Sequence, residues 1–252
     1  MLNVLSHRSD GAARPLLIAH GLFGSGRNWG AVGRALSDRG PVLAVDHRNH
    51  GQSPWYDTHS YEDLATDLAQ VIAAQARGAC DVLGHSMGGK AAMMLALTRP
   101  DLVARLIVVD IAPVVYAHDQ TRFIDAMRAV DLSRVARRAD GEAQLRSLIE
   151  DPMLASFFAQ SLDLAGRRWR LNLDVLEREM PGILGFPARQ ARYDGPVLFL
   201  SGAQSEYVQP AHRAPIKALF PAARFMKIPD AGHWLHAERP HAFTAAVRAW
   251  LE

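Results

Sequence analysis

The stretch GHSMGGKAAM sets Gly84, Ser86 and Gly88 in the spacing G-x-S-x-G. A serine hydroxyl becomes a nucleophile only when a base takes its proton, and imidazole is the side chain suited to that task. The spacing alone is weak evidence, so its setting decides. The apolar run CDVLG precedes it and a helix-forming run follows at once. A sharp strand-to-helix turn of that kind lifts the serine hydroxyl to the edge of a sheet, and glycines are needed where the backbones crowd. The plainer reading, a serine that only caps a helix, is outweighed by this context.

Eleven histidines are available as the base. His233, in DAGHWLHAERP, follows the last strand candidate and precedes the final helix, completing the chain order nucleophile, acid, base. His236 is its competitor three residues on. His85 adjoins the serine, but neighbours in a tight turn point apart, so it reads as a packing residue. Two carboxylates could orient the base: Asp110, at the end of RLIVVD, and Glu206, in the loop SGAQSEYV. Asp110 is favoured because a strand end holds a carboxylate more rigidly than a loop does. The oxyanion of an acyl transfer needs two N–H donors, which Leu22 in HGLFGSGRNW and Met87 after the serine would supply. The glycine-rich loop lacks G-x-G-x-x-G and a G-K-[ST] ending, which argues against a nucleotide site. His47 and His50 in DHRNHG are spaced like metal ligands, but no third ligand is evident, so no metal is expected; they are read as hydrogen-bonding the loop beside the oxyanion strand.

The elements that would position these residues follow from periodicity. Apolar runs at residues 15–20, 41–46, 80–84, 105–110, 196–202 and 224–228 alternate with helical stretches near 28–38, 61–75, 87–99, 210–220 and 240–251. That is the pattern of a mostly parallel sheet flanked by helices, an α/β class. Ser60 and Asp63 have capping-box spacing, and Pro240 suits a first helical turn. Residues 114–192 break the alternation with helical stretches and no strand pattern. They read as a cap inserted into a core made of residues 1–113 and 193–252. Phe123, Phe157 and Trp169, with Met127, Phe158 and Met180 beside them, are its candidates for an apolar acyl pocket. RRWR, residues 167–170, reads as a solvated helix face.

Composition narrows the function further. The chain has 252 residues, 49% hydrophobic and 21% charged, and a formal net charge of +2 without long charge runs. That excludes disorder and gives no footprint for nucleic acid. No run of about 18 apolar residues suggests a membrane span, and no secretory leader is evident. A single cysteine, Cys80, rules out an internal disulfide and fits a reducing compartment, so a cytoplasmic location is expected. No cofactor is called for, and nothing in the sequence speaks to oligomeric state.

HGLFGSGRNW, VDHRNHGQSP, GHSMGGKAAM, VVDIAPV and AGHWLHAERP together resemble the α/β-hydrolase superfamily, most closely its serine esterases related to the abhydrolase domain-containing 11 proteins. The resemblance covers the core and is weak over the cap. It implies an α/β-hydrolase fold and hydrolysis of small-molecule esters or acyl thioesters through an acyl-serine. It also implies Ser86 as nucleophile, His233 as base, and Leu22 and Met87 as the oxyanion hole. Many members place an aspartate where Ser205 stands here, with Glu206 one position later. That departure shifts the expected acid to Asp110 and leaves Glu206 as the alternative. Cofactor-free perhydrolysis, C–C bond hydrolysis and ligand sensing are further activities that this superfamily supports.

Overall fold

The computed structural model describes residues 1–7, 11–76, 78–118 and 120–252. Its strands are β1 (Val4–His7), β2 (Leu16–Ala19), β3 (Val42–Val45), β4 (Cys80–His85), β5 (Val103–Val109), β6 (Leu162–Asp163), β7 (Arg168–Trp169), β8 (Val197–Gly202) and β9 (Ala223–Ile228). Seven of them form one sheet in the order β1-β3-β2-β4-β5-β8-β9, while β6 and β7 make a separate ribbon. Only β1 runs antiparallel, against β3. This strand is not evident in the sequence because it is a four-residue edge strand with no buried position, so it lacks the apolar run that marks the others.

The helices are α1 (Gly30–Leu36), α2 (Tyr61–Gln75) and α3 (Met87–Thr98); then α4 (Thr121–Arg128), α5 (Arg138–Arg146), α6 (Pro152–Ala159), α7 (Leu173–Arg178) and α8 (Met180–Leu184); and finally α9 (Arg213–Leu219), α10 (Leu235–Glu238) and α11 (Pro240–Leu251). Ser60 and Asp63 form the capping box that opens α2.

Strand residues alternate between two cores. Leu17 and Ala19 of β2 and Val197 and Phe199 of β8 pack on the side of α2, α3, α9 and the cap. Leu16 and Ile18, with Leu198 and Leu200, pack against α1 and α11. Every side chain of β2, β3, β4 and β8 is buried, which explains why these strands read as continuous apolar runs. Each fully buried Leu or Val contributes roughly 1.5–3 kcal/mol, so both faces are needed to hold the sheet.

Between β5 and β8 lie α4 to α8 and the β6–β7 ribbon, where Leu162 pairs with Trp169; this inserted segment is called the cap. The expectation that RRWR, residues 167–170, forms a helix face is corrected here. Arg167 adopts φ 46 and turns the chain, Arg168–Trp169 is strand, and helix starts only at Leu173. Two-residue strands carry no periodicity for a sequence to display, although Arg167 and Arg168 are exposed. Trp169 is buried and its indole N–H donates to the Met127 carbonyl at 2.9 Å, riveting the ribbon to α4. Among the described residues no helix is long and apolar enough to cross a membrane.

Candidate active site

Ser86 is the only residue from Cys80 to Leu97 that is not buried. It joins β4 to α3 at φ 53, ψ −121, a backbone conformation that costs a non-glycine residue about 1–3 kcal/mol. The surroundings impose it. Its N–H donates to the Val109 carbonyl at 3.0 Å, and its carbonyl accepts from Lys90 N–H at 3.1 Å. A Cβ on Gly84 would lie 2.2 Å from the Gly88 carbonyl oxygen, and one on Gly88 would lie 2.3 Å from that of Ala19. These two glycines let α3 start directly against β2 and β4.

His233 lies on the loop between β9 and α10, where its ring stacks on Tyr207 at a centroid distance of 4.0 Å. Its Nδ1–H donates to Asp110 Oδ2 at 2.7 Å, leaving Nε2 as the nitrogen able to take a proton. Asp110 is fully buried just past β5 and also accepts from Ser205 Oγ–H at 2.5 Å and Gly202 N–H at 3.2 Å. Three donors thus converge on one carboxylate. Ser205, on the loop after β8, is a hydrogen-bond donor to Asp110 at the end of the neighbouring strand. Glu206 is exposed and lines an open depression with Val115 and His212, away from His233.

The other two histidines near the serine have separate places. His85 is buried, and its Nε2–H donates to the His233 carbonyl at 3.0 Å, so it fixes the backbone of the histidine loop as well as packing beneath it. His236 sits on α10, stacked on Trp29 at 4.3 Å, and does not line the Ser86 cavity. Burial drives the pKa of His85 well below its ordinary value and that of His236 down to about 3, so both stay neutral.

The loop after β2 is held by further neutral histidines. His20 accepts from His47 N–H at 3.0 Å and donates through Nδ1 to the Gly21 carbonyl at 2.8 Å. His50 accepts from Phe23 N–H at 3.2 Å and donates to the Arg48 carbonyl at 3.0 Å. His59 faces the Met87 sulfur at 3.3 Å. Burial lowers the pKa of His20, of His47 and His50 well below the usual value, and of His59 to about 3. The His20 and His50 rings brace the loop through lone pairs that a proton would remove, whereas the His47 ring makes no hydrogen bond among the described residues and only its backbone N–H joins the web, which corrects the expectation that its side chain bonds the loop. Among the described residues no group of three or more His, Cys, Asp or Glu side chains is arranged to hold a metal ion. Leu22 and Met87 both line the cavity over Ser86. Met87 opens α3, so its N–H belongs to the first turn, which has no intrahelical acceptor.

That cavity encloses about 320 Å³ between core and cap. Leu22, Ile111, Phe123, Leu154, Ile183 and Leu184 give it an apolar wall, while Ser86, His233, Tyr207 and His118 supply polar groups. Of the three aromatic cap residues expected to bind substrate, only Phe123 lines it. Phe157 packs on Trp234 instead, at 4.5 Å, and Trp169 is a strut between ribbon and α4. Phe158 is wedged between Phe23 and Phe123, and Met127 and Met180 are likewise buried in the core. The wall residues that the sequence did not disclose, Ile183 and Leu184, close the five-residue α8. Too short for a helical period, it is placed only by packing.

The strand order, the strand-to-helix elbow that carries Ser86 and the buried Asp110–His233 pair define a hydrolase of α/β architecture. The chain belongs to the alpha/beta hydrolase fold family, whose profile matches residues 14–240. It is 41% identical to the sn-1-specific diacylglycerol lipase ABHD11 of Mus musculus, over 96% of this chain and 82% of that protein. It is 38% identical to esterase YbfF of Escherichia coli (strain K12), over 94% of this chain and 92% of that one. The solved structure of a marine microorganism esterase superposes with a TM-score of 0.92 at 35% identity, covering 99% of this chain and all of the other. With this family and these relatives, the chain is an ester hydrolase.

Proposed function

We propose that the chain cleaves carboxylic esters or acyl thioesters of apolar acyl groups through an acyl-serine intermediate formed on Ser86. His233 Nε2 takes the Ser86 proton as the hydroxyl attacks the acyl carbon, and the N–H groups of Leu22 and Met87 hold the resulting oxyanion. Collapse expels the alcohol or thiol, to which His233 returns the proton. Water then enters and loses a proton to the same histidine as it attacks the acyl carbon; collapse releases the acid while His233 returns that proton to Ser86 Oγ. Asp110 keeps the imidazole oriented and stabilises its charged form. The observation that carries this reading is the 2.7 Å bond from His233 to a fully buried, triply hydrogen-bonded Asp110, beside a cavity that also exposes a strained serine.

Glyceride esters are the first natural substrates to try, given the lipase name of the mouse relative. A cytoplasmic location fits a chain whose one cysteine, Cys80, is buried with its thiol pKa pushed up to about 12 and therefore inert. A fluorophosphonate should label Ser86, and Ser86→Ala should lower p-nitrophenyl ester turnover by about 10⁴-fold or more. Turnover retained in that variant, or labelling elsewhere, would end the proposal.

A further inference from the structure

Lys90 sits in the first turn of α3, one turn beyond Ser86, and is 1% exposed although it carries an ammonium. An ammonium has three N–H donors and no acceptor. Here its nitrogen lies 3.0 Å from the Val114 carbonyl oxygen, 2.8 Å from that of Leu184 and 2.5 Å from that of Gly185, so each donor has a partner. The charge also lies 4.9 Å from the centre of the Tyr116 ring and 5.8 Å from that of Tyr61. Burial lowers its pKa to about 7, and the carbonyls and ring faces oppose that by favouring the charged form.

The three carbonyls belong to the two segments that join cap to core. Val114 lies on the outgoing segment, between β5 and α4. Leu184 ends α8, and Gly185 begins the segment that returns to the sheet, where a helix leaves its last carbonyls without internal donors. Two neighbours strengthen the join. Tyr116 N–H donates to the Leu184 carbonyl at 3.0 Å, linking outgoing and returning segments, and Tyr61 of α2 donates its hydroxyl to the Ile183 carbonyl at 2.6 Å. Ile183 and Leu184 are also walls of the Ser86 cavity. A helix that begins at the nucleophile therefore reaches, through one side chain, the backbone of the opposite wall.

We propose that Lys90 is a positioning residue that clasps both cap connections to α3 and so sets the far wall of the acyl cavity, and with it which acyl chains fit. This rests on the reading of that cavity as the acyl site of an ester hydrolase. Lys90 acts through Val114, Leu184 and Gly185, and its effect grows with the length of chain that reaches Ile183 and Leu184.

The test is Lys90→Met, which keeps the stem and removes the donors, with Lys90→Gln and Tyr61→Phe as milder cuts of the same web. The ratio of kcat/KM for p-nitrophenyl octanoate to that for the acetate should fall about fivefold or more in Lys90→Met, mainly through KM, and by less in the other two. Amide exchange of residues 114–116 and 183–185 should quicken about tenfold in Lys90→Met, as local opening becomes easier. A folded variant with unchanged chain-length ratio overturns the proposal. So does an equal loss on every chain length, which would put Lys90 at the reacting centre. Should Lys90→Met not fold, the same two readouts on Lys90→Gln and Tyr61→Phe decide. The exchange measurement needs no turnover. Were the wild type to cleave no ester, a quickened exchange would uphold the clasp while the acyl-site reading failed.

Discussion

The two halves of the cavity are built by different means. On the core side, Ser86, Asp110, His233 and the loop after β2 are fixed by short buried hydrogen bonds, each to a backbone group or a carboxylate at a strand end. On the cap side, Phe123, Leu154, Ile183 and Leu184 face the cavity from short helices that rest on apolar packing and a few donors reaching across from the core. The first half has one geometry. The second can change its side chains without disturbing the first, which is how one fold serves many substrates.

Substitutions can break or sharpen this contrast. The largest effect expected after loss of Ser86 is that of losing the Asp110 carboxylate. Asp110→Asn should lower kcat by roughly 10³- to 10⁴-fold, while Glu206→Gln changes it less than about twofold. Steady-state kinetics on one p-nitrophenyl ester compares the two, and the opposite ranking moves the acid to Glu206. On the cap, Trp169→Ala should cost about 3–5 kcal/mol of stability in urea unfolding and yet leave Ser86 open to fluorophosphonate, because Trp169 props the ribbon and stays outside the cavity. Phe123→Ala should raise KM for long acyl esters by about tenfold, with a smaller change in kcat. Equal loss of kcat on short and long esters would show that the cap wall and the core machinery are not separable.

Acid distinguishes the halves in another way. His59 and His236 have folded pKa values near 3 against an ordinary 6.5, and His20, His47, His50 and His85 are lowered too. Below pH 6.5 the unfolded chain takes up protons that the folded core refuses. Stability is therefore whole above that point and declines as pH falls toward 3, by about 1.4 kcal/mol per unit for each of His59 and His236, with the other four adding to the decline in the same direction. Urea midpoints measured from pH 7 to 4 should show the decline, and His59→Gln should flatten it. A midpoint independent of pH would mean that these rings already carry protons in the folded state.

What the sequence disclosed follows the same division. The elbow was legible because its glycines are forced by contacts between neighbouring strand and helix, so the constraint is written in adjacent residues. His233 could be found from chain order. Preferring Asp110 to Glu206 rested on a rule about strand ends, and the hydrogen bond that supports the preference spans residues 110 and 233, which no local pattern records. The placing of Phe157 and Trp169 in the pocket failed for a related reason. An aromatic on a short cap helix or ribbon looks alike in sequence whether it faces a cavity or a neighbouring ring. Lys90 left no mark at all, since a lysine in a helix ordinarily signals solvent.

The two-sided sheet has a mechanical meaning for the active centre. His85, at the tip of β4, packs with Trp29 and His236 on the α1 and α11 side, and it steadies the histidine loop. Met87 and Lys90, two and five residues on, are rooted among the side chains of the opposite face. His233 and Ser86 are thus gauged from opposite sides of one plate, and the spacing between them is as stiff as the plate. A change deep in either layer, far from any substrate, would register first as a misalignment of that pair.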